Sequence, residues 1–106
     1  MIDVAITLDE ENRIAGCHIE GHAGYDEYGY DIVCAAVSSL LCTTMLGLSE
    51  VTKTKGDYHS ESGFGHIIVH DMQDEQGQIL LRTMLLGLSE IERQYAKFIK
   101  IRTHRR

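Results

Sequence analysis

The stretch IVCAAVSSLLCTTMLGL, residues 32–48, decides the fold because it holds no charged side chain in a chain that is 25% charged. Its polar members are the small residues Ser38, Ser39, Thr43 and Thr44. A membrane-spanning helix needs about 20 apolar residues, and this run is shorter and interrupted by hydroxyl groups. The run therefore predicts a helix that is buried against the rest of the chain, and no membrane partner.

The residues before this run predict a β-hairpin. IDVAITL, residues 2–8, alternates apolar and polar side chains as a half-buried strand does. DEEN follows as an acidic turn, and RIAGCHIEG, residues 13–21, returns as a second strand.

After the run, two more strands are predicted, VTKTKGDYHSE at 51–61 and FGHIIVHD at 64–71, separated by Ser-Gly. The segment from 74 to 98 then predicts an amphipathic helix, and FIKIRTH at 98–104 closes as a strand. The residues at helical spacing in that segment are Leu81, Leu85, Leu88, Glu92 and Tyr95. The predicted fold class is α+β: two helices packed on a mostly antiparallel sheet, in the order β-β-α-β-β-α-β.

Two short segments repeat 40 residues apart, MLGLSEV at 45–51 and LLGLSEI at 85–91. Each lies near the end of a predicted helix. The rest of the two halves does not match, so the repeat alone does not establish a duplicated β-β-α unit.

Composition and charge predict a single acidic domain over residues 1–106. The net charge of −6 disfavours general affinity for phosphate, so we expect no direct nucleic-acid binding. The basic end KIRTHRR, residues 100–106, is typical of a solvated tail. The opening residues lack the basic and apolar regions of a signal peptide, and three cysteines cannot all pair within one chain. We therefore expect reduced thiols in a cytoplasmic protein.

Cys34 lies at the predicted start of the apolar helix. Asp31 is a good N-cap residue, which would make Cys34 the third helical residue, where the positive end of the helix dipole favours thiolate. His22, across a loop, could form an ion pair with that thiolate and supply a proton to a leaving group. A plainer reading also fits, because free cysteine is among the most buried residue types and a loop histidine can have no role.

The loop that separates His22 from Asp31 is rich in glycine and tyrosine. Gly21 would let a substrate backbone approach closely. Tyr25 offers a flat apolar surface with a polar tip, suited to gripping an extended peptide, although ordinary loop packing explains a tyrosine equally well.

Zinc is the main chemical alternative. Cys17, His18, His22 and Cys34 offer two sulfurs and two nitrogens, a donor set that zinc accepts. Their spacing matches no recognised pair of ligand motifs. His66 and His70 share a strand face, with His59 opposite them, but four strand residues span about 13 Å, too far for one metal. The sequence therefore predicts no metal site.

The motif GHAGYDEYGYDIVCAAVSSL, residues 21–40, resembles the Prp family of ribosomal-processing cysteine proteases, also called YsxB-like. The pairing of Gly-His-Ala-Gly-Tyr with Asp-Ile-Val-Cys-Ala-Ala-Val-Ser at this spacing carries the resemblance. The remainder of the chain resembles the family in element order and in GLSEI followed by Tyr95, a weaker signal.

The resemblance implies a peptidase without a cofactor. Its substrate would be the precursor of a bacterial large-subunit ribosomal protein, number twenty-seven, whose N-terminal extension is cut after an aromatic and before a small residue. Carried over by position, Cys34 is the nucleophile and His22 the general acid/base. Gly21, Asp31 and Ser38 match further motif positions as residues that organise the site. The family also implies a homodimer, which suits an uncharged helix in a domain this small.

A non-catalytic module that binds the ribosome is the alternative function. The basic tail and the small size of the chain favour it. It predicts salt-sensitive association with ribosomal particles that survives the loss of Cys34.

Overall fold

The computed structural model of the protein describes residues 1–21, 28–61 and 63–106, with the main chain alone for residues 28–31. The described elements follow the order β-β-α-β-β-α-β, which confirms the predicted fold class. The strands are β1 (Ile2–Leu8), β2 (Ile14–Gly21), β3 (Gly56–Glu61), β4 (Phe64–Val69) and β5 (Ile99–Arg105). The helices are α1 (Tyr28–Leu46), continued by one π turn (Gly47–Val51), and α2 (Glu75–Gln94).

The five strands form one sheet in the order β3-β4-β2-β1-β5. Every neighbouring pair is antiparallel except β1 and β5, which run parallel because α2 carries the chain across the sheet between β4 and β5. The basic C-terminal residues belong to edge strand β5, which confirms the predicted closing strand, and most of their side chains are exposed, as the prediction of a solvated end requires. Charged side chains on an edge strand discourage pairing with another sheet.

The core lies between one face of the sheet and the two helices. Alternate residues of β1, namely Ile2, Val4 and Ile6, are buried on that face. Helix α1 buries Val33, Val37 and Leu41 against them, and α2 contributes the equally buried residues Leu81, Met84 and Leu88.

The apolar segment is longer and less buried than predicted. Ile32–Val51 forms 20 continuous helical residues, which by length and composition alone could cross a membrane. A core helix in a soluble protein passes the same test. This one packs one face on the sheet, while Ile32 and Leu46 are exposed.

The two helices cross through a reciprocal pair of contacts. A Cβ atom at Gly47 would lie 3.0 Å from the Leu80 side chain, and one at Gly87 would lie 3.0 Å from Leu40. The two pairs are related to each other by the 40-residue spacing of the repeated segments, since Gly87 corresponds to Gly47 and Leu80 to Leu40. In the sheet, the β1–β2 hairpin and the β3–β4 hairpin lie side by side and meet where β2 pairs with β4.

Helix α2 departs from the predicted helix at its C-terminal end. It ends at Gln94, and Tyr95 is 39% exposed rather than part of the buried face. Leu85 is only partly buried, whereas Met84 is buried. The residues after Gln94 form the turn into β5, so the apolar periodicity continues beyond the actual end of the helix.

Gln78 is a buried polar residue that the sequence pattern does not reveal. Only 3% of it is exposed. Its Oε1 accepts a hydrogen bond from the Ile14 N–H at 2.8 Å, and its Nε2 donates to the Ile14 carbonyl at 2.9 Å. At the start of β2, Gln78 thus makes the two backbone hydrogen bonds that a neighbouring strand would otherwise make. These bonds connect α2 to the N-terminal hairpin.

We predict that Gln78→Leu lowers the free energy of unfolding by about 2–4 kcal/mol, because it leaves the Ile14 N–H and carbonyl buried without partners. Urea denaturation measures the change. Gln76→Leu, at an exposed position of the same helix, is the matched control and should shift stability by less than about 0.5 kcal/mol. Equal midpoints for the two variants would contradict this role.

Candidate active site

Cys34 borders a cavity of about 380 Å³ between α1 and the sheet. The side chain is partly buried and packs against the core. Apolar residues from the sheet and the helix, Ile2, Ile19 and Leu41 among them, line the cavity, and Ser38 and Ser60 add hydroxyl groups. The cavity is mainly apolar, with a thiol on its wall, which is a suitable setting for a hydrophobic side chain next to a nucleophile.

Three of the residues that line the cavity are glycine. Gly21 ends β2, Gly63 precedes β4, and Gly65 lies within β4. A side chain at Gly65 would collide with Leu41. The absence of a side chain at Gly65 therefore leaves room for the Leu41 side chain in the wall of the cavity.

The predicted helix start is wrong. Helix α1 begins at Tyr28, so Asp31 lies within the helix rather than at its N-cap, and Cys34 lies in the second turn. An acidic residue suits the first turn as well as the cap, so Asp31 did not distinguish the two positions. The helix dipole acts mainly within the first turn, and Cys34 receives less of its field than predicted.

The structure brings together three of the residues predicted for the site. Gly21, Cys34 and Ser38 all line the cavity described above. His22 and Tyr25 lie outside the described residues. The functional roles assigned to all of these residues stay predictions.

The other two cysteines differ sharply from Cys34. Cys17 is 3% exposed and belongs to the core, and burial raises the pKa of its thiol to about 12. Cys42 is only partly buried, and its Sγ lies 3.5 Å from the Ser60 hydroxyl of β3. Cys42 therefore joins α1 to the edge strand rather than filling the core.

Two donors of the zinc alternative, Cys17 and His18, face away from each other. Cys17 points into the core, whereas its neighbour His18 is exposed on the opposite face of β2. Among residues 1–21, 28–61 and 63–106, no group of three or more histidine, cysteine or acidic side chains is placed to hold a metal ion.

Three histidines form a row across the open face of the sheet. His66 lies in register with His18 on one side and with His59 on the other, so the predicted pairing of His59 with His66 is confirmed. The His59 and His66 ring centroids are 5.7 Å apart. His70 instead has its Nε2 3.4 Å from Asp57.

The β3–β4 hairpin is a part of the site that sequence reasoning missed. Ser60, Gly63 and Gly65 all line the cavity. Their contribution depends on the order of the strands, which puts β4 beside β2 and brings this hairpin to the end of α1. No local pattern in the sequence carries that information.

Comparison with known proteins identifies the family. The sequence model described as cysteine protease Prp matches residues 1–100. The chain is 35% identical over 103 residues to the ribosomal processing cysteine protease Prp of Staphylococcus aureus (strain NCTC 8325 / PS 47), covering 95% of this chain and 97% of that protein.

The chain belongs to the Prp family of cysteine proteases. Its similarity extends to the ribosomal processing cysteine protease Prp of Bacillus subtilis (strain 168), with 24% identity over 110 residues. The family assignment makes this chain an enzyme that hydrolyses peptides through a cysteine.

Solved structures of Prp match the whole fold. The S. aureus Prp in complex with a substrate peptide has a TM-score of 0.91 and 32% identity, covering 97% of this chain and 99% of that one. The S. aureus Prp in complex with a covalently linked product peptide has a TM-score of 0.87 and 33% identity, with the same coverage.

Proposed function

We propose that this enzyme removes the N-terminal extension of a bacterial large-subunit ribosomal protein, number twenty-seven, by cutting after an aromatic and before a small residue. The proposal rests on family membership and on the names of the relatives, which are ribosomal processing proteases. The observation that carries it is the apolar cavity beside Cys34.

The cavity supports the proposed preference for an aromatic residue. Its volume of about 380 Å³ is ample for one aromatic side chain, and its walls are mostly apolar. Burial of an aromatic ring there would contribute a large part of the binding free energy. The hydroxyl groups of Ser38 and Ser60 can accept or donate hydrogen bonds to the peptide.

The proposed reaction is acyl transfer through a Cys34–His22 dyad. The Cys34 sulfur attacks the scissile carbonyl, His22 gives a proton to the departing amine, and water then hydrolyses the thioester to free the enzyme. With Cys34 in the second turn, the helix dipole is a weak stabiliser of thiolate. His22 is therefore the main source of thiolate stabilisation in this mechanism.

We further propose that the enzyme is a cytoplasmic homodimer that pairs through α1. The exposed side of this helix is uncharged and includes Ile32, Ala35, Thr43 and Leu46. Leu86 of α2 is 73% exposed and Leu46 is 62% exposed, and covering such side chains is the usual reason for association.

The non-catalytic binding module has less support. The basic residues that suggested it lie on strand β5, which is paired with β1 as an ordinary edge of the sheet. Membership of a cysteine protease family favours catalysis.

Cleavage of a peptide with two aromatic residues followed by alanine tests the reaction. We expect Cys34→Ala to lower kcat/KM by at least about 1,000-fold, because it removes the nucleophile. Mass spectrometry of the products should place the cut between the second aromatic residue and alanine.

Cys42→Ala is the matched control, since it removes a partly buried thiol from the same helix. It should retain cleavage. Full activity in Cys34→Ala would exclude Cys34 as the nucleophile, and an inactive, folded wild-type enzyme would overturn the proposed substrate.

Sedimentation equilibrium tests the dimer. Leu46→Glu should shift the protein toward monomer, because it adds a charge to the exposed side of α1. Ile68→Glu changes an exposed apolar residue on the open face of the sheet, 48% exposed, and should leave the dimer intact. A monomeric wild-type protein at micromolar concentration would refute the proposal.

A further inference from the structure

The pairing of the strands, rather than spacing along the chain, brings histidines together on the open face of the sheet. His66 of β4 lies directly opposite His59 of β3 on one side and His18 of β2 on the other. Side chains directly opposite each other on neighbouring antiparallel strands have Cβ atoms about 4.5–5.5 Å apart. Two imidazoles in such a pair can reach the same ion, which two histidines four residues apart on one strand cannot.

The His59–His66 pair has the separation of two ligands that share a metal ion. The ring centroids are 5.7 Å apart, and the ring planes are inclined by 34°. With imidazole nitrogens about 2.0–2.1 Å from a zinc ion, the centres of two rings bound to it lie roughly 5 Å apart. Small side-chain rotations therefore suffice to bring both rings to one ion. The site is open to solvent, since 51% of the His59 side chain is exposed.

A carboxylate lies next to this pair. Glu61, two residues beyond His59 on the same face of β3, has its Oε2 3.5 Å from the His59 Nε2. Its negative charge favours a cation beside the two rings. A carboxylate in contact with one nitrogen of an imidazole also holds the ring in place, while the other nitrogen binds the ion.

His18 is held differently from the other two histidines. Its ring packs edge-on against the Phe64 ring, with centroids 4.9 Å apart. Phe64 also contacts the His66 ring, at a centroid distance of 5.9 Å. His18 is therefore an exposed histidine on the same face, in register with His66, whose ring is engaged by an aromatic neighbour.

We propose that His59 and His66 form a binding site for a divalent transition-metal ion of the Ni²⁺, Cu²⁺ and Zn²⁺ class, with water completing the coordination. Imidazole is a preferred ligand of these ions. The site uses none of the four donors of the zinc alternative. It lies on the face of the sheet opposite α1, so it takes no part in the proposed reaction, and the bound ion would join edge strand β3 to β4.

Isothermal titration calorimetry with NiCl₂ tests the site. The protein is the full chain without an affinity tag and carries Cys34→Ala, so that the thiol beside the cavity cannot take the ion. We expect one Ni²⁺ per chain. His59→Gln and His66→Gln, each added to this protein, should lower the affinity by at least about 10-fold, because one imidazole cannot chelate the ion.

His18→Gln is the matched control, since it removes an exposed histidine from the same face of the sheet. It should leave the affinity for Ni²⁺ within about 2-fold. Thermal unfolding gives a second readout, because an ion that binds only the folded chain raises the unfolding temperature. NiCl₂ should raise that temperature in the parent protein and in His18→Gln, and much less in His66→Gln.

Three results would overturn the inference: no binding of Ni²⁺ to the folded protein at millimolar concentration, unchanged affinity in His66→Gln, or an equal loss of affinity in His18→Gln. The test does not depend on the proposed function, because every protein in it lacks the Cys34 thiol and no cleavage is measured.

Discussion

The contact of the Leu41 side chain of α1 with Gly65 of β4 is the interaction on which the rest of the structure depends. A Cβ atom at position 65 would collide with the Cδ2 methyl group of Leu41, so glycine leaves the room that this side chain occupies. Leu41, 3% exposed, joins the core and fixes α1 about two turns beyond Cys34. The bare edge of the sheet continues through Gly21 and Gly63 and leaves the cavity that Cys34 borders. The Leu41 side chain thus belongs both to the core and to the wall of the cavity.

Much of the fold could be predicted from the spacing of apolar residues. The alternation in Ile2–Leu8 gives β1 directly, and Leu81 and Leu88 mark the buried face of α2. The start of α1 could not be predicted, because Asp31 is equally suited to a cap and to a first turn. Gln78 was also missed, since one polar residue in an amphipathic pattern resembles a surface position until its two partners on Ile14 are known.

The candidate site could likewise be predicted only in part from the sequence. Residue type alone cannot separate three cysteines, and the motif around Cys34 did so through its resemblance to a family. Their surroundings provide a physical distinction: burial holds the Cys17 thiol protonated, with a pKa of about 12, and Cys42 is held against Ser60. Cys34 alone among them borders the cavity. Strand order, which the sequence does not encode locally, brings the β3–β4 hairpin to face it.

The most direct test of Cys34 as the nucleophile is active-site labelling followed by peptide mapping. A short peptide chloromethyl ketone that ends in an aromatic residue should alkylate the folded enzyme once, and tandem mass spectrometry should locate the adduct on Cys34. In the proposed mechanism His22 stabilises the thiolate, so His22→Ala should label much more slowly. An adduct on Cys42, or labelling at the same rate without His22, would contradict the assignment of the catalytic pair.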